Sequence, residues 1–252
     1  MAHIICIANQ KGGVGKTTTA INLAAALSVS EKATLLVDCD PQGNATTGVG
    51  IDKSTVELNL YHGMIGAATA GALVHDTELP ALKVIPALVE LIGFEVEMMA
   101  SEGRESVLKN LLADVADDFE YIIIDSPPSL SLLTVNAMTA ANKLLIPLQC
   151  EFYALEGIGQ LMQTMTLIKS SLNPDLEIGG ILLTMFDKRT NLSYQVADEA
   201  EKHFNTLVFN TMVPRNVRLS EAPSFGKPIL VYDATSTGAT SYFELAREII
   251  NQ

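Results

Sequence analysis

Seven short apolar runs separated by stretches of helical periodicity predict an α/β fold, a mostly parallel twisted sheet with helices on both faces. Three observations carry it. The runs Ile4 to Ala8, Thr34 to Val37, Lys83 to Ile85, Tyr121 to Ile124, Lys143 to Pro147, Ile178 to Met185 and Leu207 to Val213 are largely apolar without polar alternation, as strands covered on both faces must be. Helical patterns fall between them, the clearest being Thr17 to Ser28, Glu105 to Ala116, Ser131 to Ala141, Leu155 to Ser171, Ser193 to Phe204 and Ala239 to Asn251. A glycine- and lysine-rich loop joins the first strand to the first helix, which narrows the class to a P-loop NTPase.

That loop is Lys11-Gly12-Gly13-Val14-Gly15-Lys16-Thr17. Its glycines let backbone N–H groups converge on phosphate oxygens, Lys16 meets the β/γ oxygens, and the Thr17 hydroxyl ligates Mg²⁺. Thr18 continues the cradle into a helix whose N-terminal dipole favours an anion, with Ala20, Leu23, Ala24 and Leu27 as its apolar repeat. The strict pattern G-x-x-x-x-G-K-[ST] asks for glycine where Gln10 stands, so the loop is a deviant form with a second lysine. Lys11 lies too far back to duplicate Lys16. Its charge is free to pair locally or to reach a nucleotide held by another subunit.

The second strand ends in Asp38-Cys39-Asp40-Pro41-Gln42-Gly43-Asn44. Carboxylates at alternate positions of an extended chain point the same way, and such a pair beside a Mg²⁺-nucleotide can hold metal waters or orient an attacking one. Leu88 to Met99, apolar with Glu90, Glu95 and Glu97 interspersed, reads as a half-buried helix. The strand at Tyr121 ends in Asp125-Ser126-Pro127-Pro128, a carboxylate placed for the outer shell of Mg²⁺. Ligands in such sheets gather at the carboxyl ends of the strands, where all three aspartates fall. Met162 and Met165 follow a helical spacing and read as core.

At 252 residues and 48% hydrophobic content the chain is expected to form a single domain over 1–252. The chain enters its first strand almost at once, and the longest apolar stretch, Leu130 to Leu148, is broken by Asn136, Asn142 and Lys143, so a soluble cytoplasmic protein is expected. Cys6, Cys39 and Cys150 have no C-x-x-C spacing, and His3, His62, His75 and His203 have no metal-ligand spacing, which argues against zinc and disulfides. The net charge of −13 counts against nucleic acid, whose affinity comes from Lys and Arg displacing counterions. Its distribution is uneven: from Asp187 to Lys227 six basic residues face five acidic ones, leaving −14 on the remainder.

The chain resembles the ParA/Soj family of chromosome and plasmid partition ATPases over almost its whole length. Lys11 to Thr19, Val37 to Asn44 and Tyr121 to Leu130 are similar to its deviant phosphate loop and two switch segments. Gln149 to Gly157, Leu183 to Asp187 and Val213 to Ser224 are similar to the Soj branch in particular. The match is weakest from Ser54 to Ala81. The resemblance implies ATP and Mg²⁺, and a homodimer that sandwiches two nucleotides, with Lys11 crossing to the partner's nucleotide and Gly12 at the closest approach of the subunits. It implies that Asp40 positions the lytic water, that Asp125 holds the Mg²⁺ shell, that Met185, Pro214 and Asn216 surround adenine, and that Glu151 touches nucleotide across the interface. It further implies non-specific binding of double-stranded DNA through Arg189 and Arg218, stimulation by a ParB-type protein, and a nucleoid-associated location; Lys188, Arg215 and Lys227 lie close in sequence to those arginines and are expected to extend the patch.

Three relatives of other function share the scaffold. A MinD-type positioning ATPase ends in a basic amphipathic helix that meets anionic lipid, whereas Tyr242 to Ile250 here sums to −1, so no membrane partner is expected. A nitrogenase-type iron protein needs two cluster-bridging cysteines per subunit. A small-molecule kinase or synthase needs an acceptor pocket, and none is evident in the sequence.

Overall fold

The computed structural model describes residues 2–151 and 154–252. In chain order the elements are β1 (His3–Ile7), α1 (Lys16–Val29), β2 (Thr34–Asp38), α2 (Asn44–Gly48), α3 (Leu60–Met64), α4 (Ala70–Leu73), β3 (His75–Asp76) and β4 (Leu82–Ile85). Then follow α5 (Ile92–Glu97), α6 (Val107–Ala113), β5 (Tyr121–Asp125), α7 (Leu132–Ala140), β6 (Lys143–Gln149), α8 (Ala154–Ser171) and β7 (Glu177–Phe186). The last are α9 (Asn191–Phe204), β8 (Val208–Pro214), α10 (Val217–Glu221), α11 (Ile229–Tyr232) and α12 (Thr237–Ile250).

The strands form one sheet in the order β3-β4-β2-β5-β1-β6-β7-β8. All pairings are parallel except the two-residue edge strand β3, which runs antiparallel to β4. Each of the seven expected strands is present within about two residues, which is the usual uncertainty of element ends. Successive strand residues feed opposite layers. On β1, Cys6 joins the core of one face and Ile5 and Ile7 that of the other; on β5, Ile122 and Ile124 face the first layer and Tyr121 and Ile123 the second. The first face is covered by α3 to α9, the second by α1, α2 and α10 to α12. All three cysteines are buried and free.

α1 is buried on almost its whole circumference, from Thr19 to Ser28, because it lies between the sheet and α12. Two polar bonds fix it there. The Asn22 carboxamide oxygen accepts from the Ile229 N–H at 2.7 Å, and the Thr19 and Tyr242 hydroxyls lie 3.2 Å apart. α12 turns Ala239, Tyr242, Leu245, Ala246 and Ile249 into that contact, so its apolar face is spent on the core. No helix among the described residues is long and apolar enough to cross a membrane.

Two expected helices take a different form. Glu105 to Ala116 is a 3₁₀ turn at Arg104–Ser106, the seven-residue α6, and a second 3₁₀ turn at Ala116–Asp118. Leu88 to Met99 is a 3₁₀ turn, Val89–Leu91, leading into α5, and it buries only Leu91 and Phe94.

Candidate nucleotide site

β1 delivers the chain to the phosphate loop at the carboxyl end of the sheet. Asn9 props the entry: its side-chain oxygen accepts from the Lys11 N–H at 3.0 Å, two residues on, and its amide donates to the Pro147 carbonyl at 2.7 Å. Gly13 and Gly15 adopt φ of 77° and 91°, a region that glycine enters without cost. A Cβ added at Gly12 or Gly13 would meet nothing within 4 Å, so the loop faces open space. Gly15 is the N-cap of α1 and supplies no side-chain cap. Among the described residues, the backbone N–H groups from Gly12 to Thr18 donate no hydrogen bond. A helix end with its donors open and converging is built to receive an anion.

Lys16 is the first residue of α1 and is only 7% exposed. Its ammonium donates to the Lys11 carbonyl at 3.2 Å, folding back over the loop. Burial pushes its pKa down, against the charges of Asp125 and Asp40, which raise it. From β7, the Thr184 hydroxyl donates to the Val14 carbonyl at 2.8 Å and holds the loop from behind.

Asp38 and Asp125 are register partners at the ends of β2 and β5, and both are fully buried. Asp38 accepts from the Asp40 N–H at 3.1 Å and from the Thr46 N–H and hydroxyl at 2.7 and 2.8 Å. Burial nevertheless raises its pKa to about 6. It is thus a structural partner of the loop between β2 and α2. Thr46 passes the tie on, accepting from the Ala87 N–H at 3.0 Å. Within that loop Gly43 has φ 61°, and a Cβ there would lie 2.6 Å from the Ala87 carbonyl oxygen; no other residue fits. Asp40, by contrast, commits one oxygen to the Gln42 N–H at 2.9 Å and is 9% exposed, where Asp38 is fully buried.

Asp125 differs from Asp38. Neither of its carboxylate oxygens has a well-formed hydrogen bond. Burial, then the neighbouring charge of Asp38, holds its pKa well above the usual range, although the nearby Thr17 hydroxyl pulls the other way. A buried carboxylate so poorly satisfied is costly unless a cation completes it. With the Thr17 hydroxyl on the facing helix start, the residues present fit Mg²⁺ and its waters.

The second lysine is paired within its own chain. Lys11 Nζ lies 3.2 Å from Glu151 Oε2, just past the end of β6, and the Gln149 amide donates to the other oxygen of Glu151. Of the run Gln149 to Gly157, Phe152 and Tyr153 lie outside the described residues. Met185, with φ 52°, sits at the end of β7, and Pro214 closes β8 in register with Phe186. Asn216 caps α10 by accepting from the Arg218 N–H at 2.8 Å and donates to the Thr237 hydroxyl at 2.9 Å. The three adenine candidates thus share the same sheet end as the phosphate loop.

The basic face is less positive than the sequence count suggests. Arg189 is highly exposed, but its guanidinium holds Asp187 through two bonds of 2.9 and 2.7 Å. Arg218 pairs with Glu221 at 3.0 Å and Asp233 at 3.6 Å, and Lys227 with Glu78 at 3.8 Å. Lys188 and Arg215 are exposed and enter no ion pair among the described residues. Arg189 and Arg215 line a cleft of about 1400 Å³ along β8, with Arg247, Glu244 and Glu248 on its α12 side; Arg218 lies outside it.

Sequence reasoning missed Asn9, Thr46 and Thr184. Asn9 had a signal, since Asn bonds its own backbone two residues on in an Asx turn. Thr46 and Thr184 had none, because their partners are 41 and 170 residues away.

The fold and the open N–H cradle define a P-loop nucleotide triphosphatase. Residues 2–178 match the family described as AAA domain. The chain is 54% identical over 252 residues to the chromosome partitioning protein ParA of Myxococcus xanthus, covering all of this chain and 89% of that one. It is 53% identical over 249 residues to the sporulation initiation inhibitor protein Soj of Bacillus subtilis, covering 99% and 98%. Among solved structures, the cobyrinic acid a,c-diamide synthase of Mycobacterium smegmatis with bound ADP and magnesium superposes with a TM-score of 0.88 at 35% identity, covering 100% and 95%. The chain belongs to the ParA/Soj family of partition ATPases; it hydrolyses ATP, with Mg²⁺ as its metal.

Proposed function

We propose that this chain is a single-domain ATPase whose ATP-bound homodimer binds double-stranded DNA without sequence preference and releases it on hydrolysis stimulated by a ParB-type protein. The observation that supports this most is the run of unpaired N–H groups from Gly12 to Thr18 with a second lysine, Lys11, at its outer rim. In this reading Gly12 to Thr18 cradle the phosphates and Lys16 opens from the Lys11 carbonyl to the β/γ oxygens. Thr17 and Asp125 hold the Mg²⁺ shell, and Met185, Pro214 and Asn216 surround adenine. Mg²⁺ supplies neutralisation of charge building on the phosphate oxygens. Asp40, free of the ties that fix Asp38, orients the attacking water.

Lys11 leaves Glu151 to reach the partner's nucleotide, acting as arginine fingers do. The Lys11 and Glu151 side chains are 37 and 46% exposed, and such partly exposed pairs are weak enough to exchange. The two relatives named for partition or sporulation control match at 54 and 53% identity, the synthase at 35%. The buried apolar face of α12 weighs against a MinD-type membrane anchor.

Asp40→Ala is expected to bind ATP, to hydrolyse it at least about 100-fold more slowly, and to accumulate as a dimer in size-exclusion chromatography. Normal turnover would remove the water-positioning role. For DNA, Arg189→Glu with Arg218→Glu is expected to keep basal ATPase and dimerisation while losing binding in a filter assay. Every phosphate that is no longer neutralised flattens the slope of log K against log salt by roughly 0.9, and each Arg appears twice in a dimer. Retained affinity with an unchanged slope would refute the patch.

A further inference from the structure

We infer that Val89, Ile92, Val96 and Met99 form a docking surface for a cationic amphipathic segment of a partner protein. These four side chains are 66, 52, 68 and 67% exposed. Apolar residues scattered singly over a surface need no explanation. Here they follow the spacing 3, 4, 3, which brings them to one side of the turn before α5, α5 itself and the turn after it. That spacing is the seam into which the apolar residues of a second helix interdigitate.

The segment is held in place from behind. Leu91 and Phe94, on its opposite side, are fully buried. Glu95 Oε1 accepts from the Leu133 N–H at 3.3 Å in the first turn of α7, and the Tyr61 hydroxyl donates to Glu97 at 2.7 Å. The seam is therefore presented by a fixed element, and a partner meets it without ordering it first.

Charge decides the occupant. From Leu88 to Ser106 there are five carboxylates and one guanidinium, and Arg104 of that segment is already held by Glu105. Glu90 and Glu97 are exposed and stand seven residues apart on one flank of the seam. Nucleic acid and anionic lipid are repelled by such a rim. A second copy of this chain, at a net charge of −13, brings the wrong sign over most of its surface. A segment with apolar residues at heptad spacing and Lys or Arg at its flanks matches both the seam and the rim. The Glu95 to Leu133 bond ties this surface to the first turn of α7.

The test uses the full chain without nucleotide and a labelled synthetic three-heptad peptide carrying Leu at the a and d positions and Lys at e and g, read by fluorescence anisotropy. The peptide is expected to bind wild type and to bind Ile92→Lys with Val96→Lys at least about tenfold more weakly, the effect of losing one buried apolar side chain or more. Glu90→Gln with Glu97→Gln is expected to weaken binding and flatten its salt dependence. Ile92→Ser with Val96→Ser is a second, uncharged pair, and thermal melts coinciding with wild type confirm folding of each variant. Equal binding by either seam pair would overturn the inference, as would equal binding of the same peptide with Glu in place of Lys. So would light scattering that shows the wild-type chain associating with itself through this seam. Because no nucleotide is present, the outcome is independent of whether the sandwich dimer forms.

Discussion

Lys16→Ala abolishes measurable ATP turnover and, with it, every ATP-dependent property of the protein. The expectation rests on where the ammonium sits. Lys16 opens α1, is nearly buried, and lies within the field of Asp125 and Asp40. Nothing else in the cradle carries a positive charge at that depth, since Lys11 is turned outward to Glu151. Removing one preorganised group that meets developing charge costs about 10²–10³ in rate; here the same group also meets the ground-state phosphates, so affinity falls as well. Isothermal titration with ATP and Mg²⁺ and a phosphate-release assay separate the two. The variant should fold normally, because its missing bond goes only to the Lys11 carbonyl. Turnover within tenfold of wild type would remove Lys16 from the centre of the site.

Much of that site was legible in the sequence because the chemistry stands at strand ends. A parallel strand buried on both faces reads as an unbroken apolar run, and the residue that follows it is marked by the change in polarity. Asp38, Asp40, Asp125 and the phosphate loop were found that way, and the sheet brings Asp38 and Asp125 into register. One-turn elements were not legible. α2, α3, α4, α10 and α11 have five residues or fewer, too few for a 3.6-residue period to show. The two residues of β3 are fixed by pairing with β4 rather than by any pattern of their own.

The division of labour between the acidic residues was also hidden. Asp38 and Asp40 read alike from their sequence positions, and three hydrogen bonds set Asp38 apart as a structural partner of its loop. The same register leaves Asp125 without a well-formed hydrogen bond. Long-range pairs escape any local reading for a simpler reason: Lys11 and Glu151 are 140 residues apart, and only the order of strands brings β1 beside β6. The basic count from Asp187 to Lys227 misled in the opposite direction, because carboxylates inside and outside that span neutralise four of its six cations.

Gly12→Val separates the monomer's chemistry from the dimer's. In the single chain a Cβ at Gly12 meets nothing within 4 Å, and its φ, unlike those of Gly13 and Gly15, lies outside the left-handed region. The monomer therefore has room for the side chain and no backbone strain from it. If two phosphate loops close on each other across a pair of nucleotides, that room is what the partner fills, and a branched side chain there holds the subunits apart. Overpacking a well-fitted interface costs about 1–3 kcal/mol, and two copies meet at a twofold axis. The variant is expected to bind ATP with near wild-type affinity, to remain monomeric in size-exclusion chromatography with ATP and Mg²⁺, and to lose ATP-dependent DNA binding. Its hydrolysis should fall to the level of Lys11→Ala, since in both proteins the ammonium fails to reach the neighbouring nucleotide. A Gly12→Val protein that dimerises and turns over ATP normally would show that the open face of the loop is not the surface on which two subunits meet, and Lys11 would then act within its own chain.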